Sequence, residues 1–525
     1  MMMSKILFAP HVEIARGFAQ MSALMATTLG PNRGVIWNRI GSGKPERLTD
    51  SGIIARRVTE LNGVGENAGA MILRGAIMQM HERYLDGGAL TATLALNLME
   101  SGSHMLAAGI NPMALRSGIE RAAAAAVDAI RVNARMVTSQ DELAQVAYTA
   151  TGDHELADVL GEMFEILGKH GAYVVDEYAA PLLDREYVEG GRWEARPAAR
   201  ELMPPASADL TLDQPLIFVT NDKIERLAQI RAALEAAISA PGKPPLLIIA
   251  REITGEALTA LTLNHTRGTL TAAAVTPLSM GADVQADLVD ISLLVGAQLA
   301  DHAAGSAAES ARGAWLGRAR QVIVKRDSLT IIGGAGDLNA KQRRITELRT
   351  QLKQIKTPDD TWERLRLRIA RLSGGLGILK IGAQTFHERD MRKEAAKKAV
   401  RVLETALDGG VAAGGGVAYL SAIPAANAVR GGSAEENAGV DLVRRALKAP
   451  FVQIACNYGR VHPYVALHDV QQEGATVGFD ARTGTYAEMF DAGILDSVPI
   501  LCAALETAAS AAIMALTTGV VIVGK

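Results

Sequence analysis

The sequence predicts a multi-domain protein in which mainly helical segments from both ends of the chain flank a central α/β segment. Aromatic residues are only 4% of the 525 residues while Ala and Gly abound, which favours helix-on-helix packing. Short apolar runs separated by helical patterns begin near residue 190, as in α/β units. Glycine-containing loops at 28–31 and 409–417 each lie at a helix end. If both loops serve one site, the two ends of the chain form one domain and the middle is inserted into it.

The composition limits the class of protein. A net charge of −3 and the absence of a dense basic run give no indication of a nucleic-acid surface. Cys456 and Cys502 are too few for a disulfide scaffold and fit a reducing cytosol, with burial as small hydrophobes the simpler interpretation. No signal peptide and no apolar run of roughly 20 residues is evident. We therefore expect a cytoplasmic protein with neither a membrane nor a nucleic acid as partner.

The helices of the two ends are predicted from an apolar period near 3.6 residues. They are expected at 12–28, 66–84, 91–107 and 112–133. Leu29-Gly30-Pro31 ends the first helix, while Asn111 and Pro112 supply the N-cap and the first residue of the fourth. Two capping boxes begin later helices, Ser139-x-x-Glu142 and Ser433-x-x-Glu436.

The central segment is predicted to alternate strands and helices. The apolar runs read as strands lie at 216–219, 246–250, 269–275, 321–325 and 329–332. Two charged helices follow at 340–356 and 360–372, with a turn at 357–359 between them. After an apolar run at 378–382 the chain returns to helices.

Several glycine-rich stretches could carry chemistry. The run at 409–417 can crowd backbone N–H groups around an anion such as phosphate, although a hinge or tight turn fits the same composition. Gly-Ser-Gly-Lys at 41–44 lacks the upstream glycine and the following Ser or Thr of a P-loop, so it predicts a hairpin tip. Asp50-Ser51-Gly52 is either a turn or the carrier of a catalytic acid.

Six ordered segments resemble the group I chaperonins, the GroEL type, across nearly the whole chain. They are Thr28-Leu29-Gly30-Pro31, Ala108-Gly109-Ile110-Asn111-Pro112-Met113, Leu246-Leu247-Ile248-Ile249-Ala250, Gly255-Glu256-Ala257-Leu258, Ala413-Gly414-Gly415-Gly416 and Gly493-Ile494-Leu495-Asp496. The resemblance implies a mainly helical equatorial nucleotide-binding domain (1–133 and 408–525), a small intermediate hinge domain (134–189 and 376–407) and an α/β apical client-binding domain (190–375).

The same resemblance implies a site for ATP and Mg²⁺. Its nucleotide-binding residues would be Thr28, Leu29, Gly30, Pro31, Gly87, Gly88, Thr91, Gly415, Phe479, Asp480, Ala481 and Asp496. Asp86 is the candidate metal ligand, displaced by one place from the family pattern, and two hydroxyl residues of that loop are missing. Phe479-Asp480-Ala481 corresponds to the adenine region. Asp496 corresponds to the acid at the ribose, and it can equally be a helix N-cap before Ser497.

The catalytic positions depart from the family. Asp50 is kept, but the aspartate credited with positioning the hydrolytic water falls on Lys398. A lysine ammonium has no acceptor and cannot orient or deprotonate water, so hydrolysis is expected to be weak, slow or absent. Lys398 would pair with Asp50, lie against the terminal phosphate, or be a solvated lysine on a charged helix. Glu394, one turn earlier, is the nearby acid that could substitute.

The client surface and the assembly also differ. Leu234, Leu258 and Leu263 persist in the two apical helices, while Arg231 and Thr262 replace apolar neighbours. Residues 195–201 replace an aromatic segment, which predicts a narrower range of non-native protein clients and puts binding of a GroES-type lid in doubt; drift of an unconstrained surface is the alternative.

The resemblance implies a ring, usually heptameric. Val452 and Val461 stand where a charge pair often joins two rings, so single and double rings both stay open. Two functions remain from the sequence, an ATP-driven folding machine and a nucleotide-holding ring that does not cycle. A metabolic enzyme on a dinucleotide fold is disfavoured because no G-x-G-x-x-G follows a strand and opens a helix.

Overall fold

The computed structural model describes residues 5–39, 45–169, 171–188, 190–204, 209–355, 360–373 and 375–523. The chain divides into two compact units, the first formed by residues 1–165 and 384–525 and the second by residues 166–383. The first unit is therefore assembled from both ends of the chain, with the second inserted between them.

The helices are α1 (His11–Ala26), α2 (Ser51–Arg57), α3 (Val64–Tyr84), α4 (Gly88–Ala107), α5 (Pro112–Val132), α6 (Gln140–Thr151), α7 (His154–Leu167), α8 (Arg231–Ser239), α9 (Gly255–Thr266), α10 (Ala282–Val295), α11 (Leu338–Gln354), α12 (Asp360–Leu372), α13 (Phe386–Gly409), α14 (Val417–Ala428), α15 (Ala434–Ala446), α16 (Ala449–Tyr458), α17 (Pro463–Glu473) and α18 (Val498–Leu516). The strands are β1 (Lys5–Phe8), β2 (Ile36–Asn38), β3 (Glu46–Leu48), β4 (Ala172–Glu177), β5 (Leu183–Val188), β6 (Gly190–Pro197), β7 (Leu210–Asp213), β8 (Leu216–Ile224), β9 (Leu246–Ile253), β10 (Ala272–Pro277), β11 (Gly317–Val324), β12 (Ser328–Gly334), β13 (Leu376–Ile381), β14 (Val411–Ala413), β15 (Val477–Asp480), β16 (Thr485–Glu488), β17 (Leu495–Ser497) and β18 (Val520–Val523).

The first unit is a helical core. In α1 the buried side chains Ile14, Phe18, Met21 and Met25 recur at helical spacing, and this face packs against α3 and α4. A Cβ at Gly17 would lie only 2.0 Å from the carbonyl oxygen of Glu66, so the two helix backbones approach closely where the side chain is missing. Periodicity and one glycine together set this helix contact.

The most apolar helix of this core is α18. An 18-residue window of this 19-residue helix has a mean hydropathy of 1.7, so length and composition alone would let it cross a membrane. However, 67% of that window is buried within the protein, and the helix packs against α3, α4 and α5. The sequence analysis overlooked this run, and its burial identifies α18 as a core helix of the first unit.

A two-stranded sheet joins the ends of the chain. Strands β1 and β18 pair antiparallel, with Lys5 opposite Val523 and Phe8 opposite Val520. The side chains of Ile6, Phe8 and Ile522 are exposed. These side chains give the sheet an exposed apolar surface. Because a two-stranded sheet is only marginally stable by itself, packing of another surface against it would stabilise it.

The second unit is built on a seven-stranded sheet with the order β12-β6-β10-β9-β8-β11-β7. Strands β8, β9 and β10 are parallel, and their continuous apolar runs are buried. One face packs with α10 and the other with α8 and α9, as expected for parallel strands covered on both faces.

A three-stranded sheet with the order β4-β13-β5 also lies in this unit. Strand β13 runs parallel to β4, with Leu376 opposite Ala172, and antiparallel to β5. Strands β4 to β6 are absent from the sequence analysis. The partners lie about two hundred residues apart in the chain, and β5 is largely polar, so no local apolar pattern marks them.

A row of ion pairs holds α12 against α10. Asp290 is fully buried and accepts two hydrogen bonds from Arg368, 2.6 Å from Nε to Oδ2 and 2.9 Å from Nη2 to Oδ1. Asp287 pairs with Arg371 at 3.1 Å, and Asp283 pairs with Arg364. Since the acids are spaced three and four residues apart, one face of α10 is negative and binds a basic face of α12.

The predicted helices and central strands are found with shifts of a few residues at their ends. Asn111, Ser139 and Ser433 cap their helices as expected, each side chain accepting a backbone N–H. The predicted hairpin tip at 41–44 and turn at 357–359 lie outside the described residues. The two compact units do not test the three-domain division, which stays a prediction.

Candidate functional site

The first glycine loop, residues 28–34, follows α1. Asn457 of α16 fixes it by donating to the carbonyl oxygens of Ala26 (2.7 Å) and Leu29 (2.8 Å). Gly30 has a φ of +83° and packs against Ile454, also of α16. Asn32 donates to the Ala481 carbonyl oxygen at 2.5 Å, which connects this loop to the residue after β15. The Thr28 hydroxyl donates to the Met25 carbonyl oxygen at the end of α1, and Pro31 is exposed.

The second glycine loop, residues 85–88, joins α3 to α4. Gly87, with φ +79°, is the N-cap of α4 and has no side chain to cap the first amides of that helix. Thr91 is buried and its hydroxyl donates to the Gly87 carbonyl oxygen (3.0 Å). A Cβ at Gly88 would lie 2.6 Å from the Ser51 hydroxyl, so the beginning of α2 lies against this loop.

Asp86 of the second loop is paired with Lys398 of α13. Lys398 Nζ lies 2.8 Å from Asp86 Oδ1, and the two side chains are 19% and 32% exposed. Three residues further along α13, Arg401 donates to the Arg83 carbonyl oxygen at 2.9 Å. Two cations on one face of α13 thus hold this helix against the end of α3, where orphan carbonyls favour positive charge. Of the three fates considered for Lys398 from the sequence, the structure shows an ion pair, with Asp86 and not Asp50 as the partner.

The third glycine loop, residues 414–416, lies between β14 and α14. Gly415 and Gly416 have φ values of +66° and +85°, and Gly416 is the N-cap of α14, again without a side-chain cap. A Cβ at Gly416 would lie 2.7 Å from the backbone nitrogen of Phe451 in α16, so only glycine fits there. The backbone N–H of Gly415 favours the charged form of the Asp496 carboxylate.

The three loops converge on shared elements. The first and third loops both pack on α16, through Ile454 and Phe451 respectively. They also meet the same strand end, because Asn32 bonds to Ala481 while a Cβ at Gly415 would lie 3.9 Å from the Phe479 carbonyl oxygen. The charge of Asp86 acts on Asp496, which links the second loop to the third. Segments nearly four hundred residues apart therefore lie next to one another in the first unit.

The site contains opposed charges. Burial alone would raise the pKa of Asp86, but the Lys398 ammonium, the Gly87 N–H and the charge of Arg33 together hold it below its ordinary value. Burial and the neighbouring negative charge of Asp86 raise the pKa of Asp496 to about 6, although Lys398 and the Gly415 N–H act in the opposite direction. The site therefore combines two carboxylates that titrate differently with two cations.

Arg33 is a site residue that the sequence analysis missed. Its guanidinium is fixed by the carbonyl oxygens of Gly30 and Ala150, both at 3.2 Å, and its charge acts on Asp86. The sequence signal that could have identified it is a cation three residues after Gly30, at the end of a helix. Asn32 and Asn457, which position the first loop, gave no such signal.

Other predicted residues have structural partners. Asp50 caps α2 by accepting from the Ile53 N–H (2.9 Å), and its carboxylate lies 3.4 Å from His81 Nδ1. Phe479 is buried edge-on to Tyr458 with ring centroids 5.2 Å apart. Asp480 is buried and accepts from the Arg482 N–H and from the Thr483 hydroxyl. The side chains of Phe479 and Asp480 therefore stabilise the β15–β16 hairpin, while the Asp50 carboxylate stays partly exposed beside the second loop.

The predicted client residues lie in the second unit. Leu263 of α9 is 45% exposed, and Leu258 and Thr262 on the same helix are half-buried. Leu234 of α8 is only 7% exposed and belongs to the core between the sheet and helices α8 and α9, so it offers almost no surface to a client. Ile238, one turn along α8, is the exposed apolar residue that the sequence analysis did not name.

The oxygen atoms near Asp86 decide whether a divalent ion fits this site. The described residues contain no group of three His, Cys, Asp or Glu side chains that could hold a metal. Mg²⁺ commonly uses one or two carboxylates together with phosphate oxygens, so Asp86 and Asp496 are chemically suitable. However, the Lys398 ammonium already occupies an oxygen of Asp86. While that ion pair is intact, the site does not fit a divalent ion at Asp86.

Gly416→Ala should disrupt the third loop more than a positive φ alone would. We expect it to lower the free energy of unfolding by at least about 1 kcal/mol more than Gly459→Ala, measured by urea unfolding of the purified protein. Gly459, the C-cap of α16, has a similar φ of +73° but only one atom near its Cβ position, at 3.8 Å. Equal losses in the two variants would contradict the close approach to Phe451.

A helical unit made from both ends of the chain, with three glycine loops around a charged cluster and an inserted α/β unit, is the architecture of a chaperonin subunit. The sequence model of the TCP-1/cpn60 chaperonin family matches residues 21–165 and 218–525. The chain belongs to this family, which confirms the resemblance found in the sequence. Its class is therefore that of the chaperonins, proteins that assist the folding of other proteins.

Solved structures have the same fold. The chain is similar to the chaperonin gp146 from bacteriophage EL 2 (Pseudomonas aeruginosa), crystallised in the presence of ATP-BeFx, with 18% identity, 99% of each chain covered and a TM-score of 0.76 for crystal form II. For crystal form I of the same protein the identity is 16%, the coverage again 99% of each chain and the TM-score 0.66. The likeness over the full length confirms the predicted fold class of helical and α/β domains.

Proposed function

We propose that this protein is an ATP-binding chaperonin that binds non-native proteins within a ring and hydrolyses ATP only weakly. The observation that carries the proposal is the ion pair between Lys398 and Asp86, placed among three glycine loops. The loops supply a place for phosphate groups, and the ion pair removes the chemistry that would hydrolyse them.

Binding of a nucleotide is supported by backbone and charge. Two helices, α4 and α14, begin at glycine N-caps without side-chain caps, so their first N–H groups can donate to phosphate oxygens. Lys398 and Arg33 add positive charge on the same side. The phage chaperonin that shares the fold was crystallised with ATP-BeFx, which makes ATP the first nucleotide to test.

Weak hydrolysis follows from the acids that remain. Lys398 has only donors, so it cannot accept a proton from the attacking water. Glu394, the nearby acid considered as a substitute, is exposed and bound to Lys397 at 2.8 Å. Asp50 is held by the end of α2 and by His81. Asp50, Asp86 and Glu394 therefore each have a bonding partner already.

The ion pair also favours the second candidate, a chaperonin-like ring that holds nucleotide and client without cycling. In that case Lys398 would be a permanent structural contact between α13 and the second loop. Such a ring would bind clients but not release them on nucleotide turnover.

Assembly into a ring, client binding and a GroES-type partner are part of the proposal. The family implies oligomeric rings and clients, and the exposed apolar sheet β1–β18 is a surface that a neighbouring subunit would cover. Seven subunits and a cytoplasmic location complete the proposal; both cysteines being free thiols fits a reducing compartment.

Steady-state phosphate release, measured beside equilibrium ATP binding on the same purified protein, tests the proposal. We expect ATP to bind and phosphate release to be slow, with release of a bound unfolded client accelerated by ATP. Binding and client capture with no effect of ATP on release would favour the non-cycling ring. Absence of ATP binding would contradict the proposal. Phosphate release fast enough to drive rapid cycles of client binding and release would contradict it as well.

Nucleotide affinity should rise as the pH falls through about 6, because Asp496 then becomes neutral beside the phosphate site. We expect about threefold to tenfold tighter binding at pH 5.5 than at pH 7.5 from this group. Asp496→Asn removes the titrating group and should show only the change that comes from the nucleotide itself. Identical pH profiles for the two proteins would contradict the role of Asp496.

A further inference from the structure

The Lys398 ammonium lies against Asp86, the residue that the sequence predicts as the metal ligand. It lies 2.8 Å from Asp86 Oδ1, and both side chains are sheltered enough that solvent screening is reduced. Arg401 and Arg392 hold α13 on either side of it, Arg401 through the Arg83 carbonyl oxygen and Arg392 through Asp153 and Glu155, both at 2.7 Å. The ammonium is therefore fixed by the helix that carries it.

The four charged side chains that interact around Asp86 balance one another before a nucleotide binds. Asp86 and Asp496 contribute two negative charges at neutral pH, and Lys398 and Arg33 contribute two positive ones. An ammonium has three N–H donors, of which Asp86 uses one, so two remain for phosphate oxygens. A divalent ion placed on the same Asp86 oxygen would lie next to the ammonium and be repelled by it.

We infer that Lys398 takes the place of the divalent cation in this site, so that the protein binds nucleotides as metal-free phosphate anions and does not require Mg²⁺ for binding. The inference rests on the proposed nucleotide site and names the form of the ligand that it takes. Phosphate oxygens are met by Lys398, Arg33 and the N-terminal amides of α4 and α14. Asp86 orients the ammonium and makes no contact with a metal.

The test is titration of a fluorescent ATP analogue into the purified full-length chain, once in excess EDTA and once in millimolar Mg²⁺. We expect the two dissociation constants of the unmodified protein to agree within about threefold. Lys398→Asp should bind at least about tenfold more weakly in EDTA than in Mg²⁺, because its two carboxylates then need a divalent counter-ion. Lys397→Gln is the matched control, since Lys397 pairs with exposed Glu394 on the same helix.

The outcomes separate the two proposals. Binding by the unmodified protein in Mg²⁺ but not in EDTA would overturn the inference and leave the proposed function intact. Absence of binding in both buffers would overturn the proposed nucleotide site itself. If Lys398→Asp is poorly folded, calorimetric titration of Mg²⁺ into the unmodified protein serves instead, and micromolar Mg²⁺ binding there would contradict the inference.

Discussion

Lys398→Asp is expected to raise steady-state phosphate release from ATP by about a hundredfold in the presence of Mg²⁺. The substitution replaces a donor-only side chain with an acceptor that can orient or deprotonate water, and it frees Asp86 to bind the metal. The rate is measured by coupled phosphate detection on the assembled protein. Without Mg²⁺ the variant should also melt at a lower temperature, because two carboxylates then face each other.

The choice of a single substitution follows from the structure. Adding an aspartate at Gly87, suggested by the family pattern of the second loop, would put a side chain on a residue with φ +79°, a conformation that L-residues rarely adopt. That change would distort the loop that it was meant to restore. Lys397→Asp, on the neighbouring residue of α13, is the control. A hundredfold gain in that variant, or none in Lys398→Asp, would refute the account of weakened hydrolysis.

Asp290→Ala is expected to lower the free energy of unfolding of the second unit by about 3–5 kcal/mol. Asp290 is fully buried, and its removal leaves Arg368 without the bidentate acceptor that holds α12 on α10. Urea unfolding followed by tryptophan fluorescence reports on this unit, because three of the four tryptophans, among them buried Trp193, lie in it.

Asp283→Ala provides the matched control on the same two helices. Asp283 and Arg364 form an exposed pair, with side chains 45% and 56% exposed, and such pairs contribute at most about 1 kcal/mol. A similar loss in both variants would show that the row of ion pairs acts as a whole, and that burial of Asp290 gives it no special weight.

Much of the fold could be predicted from the sequence because the relevant signals are local. The apolar period of α1, the cap at Asn111 and the continuous apolar runs of β8 and β9 each depend on a few neighbouring residues. The glycine loops were predicted for the same reason, since positive φ values mark glycine at the ends of helices. The family resemblance then predicted the fold class of helical and α/β domains.

Other features were decided by residues distant in the chain. Strand β13 pairs with β4 and β5 across about two hundred residues, and β5 carries no apolar pattern that would announce it. Leu234 faces the core and not a client, because the rotation of α8 on its sheet cannot be read from α8 alone. The apolar run of α18 is a core helix because other helices bury it.

The sequence by itself determined that a lysine stands at position 398 and therefore that a donor replaces an acceptor there. Only the tertiary structure decided which carboxylate it meets, because the partner depends on how α13 lies on the end of α3 and on the path of the loop at 85–88. The charge of a side chain is set by the residue type, whereas the pairing of two charges depends on which segments folding brings close together.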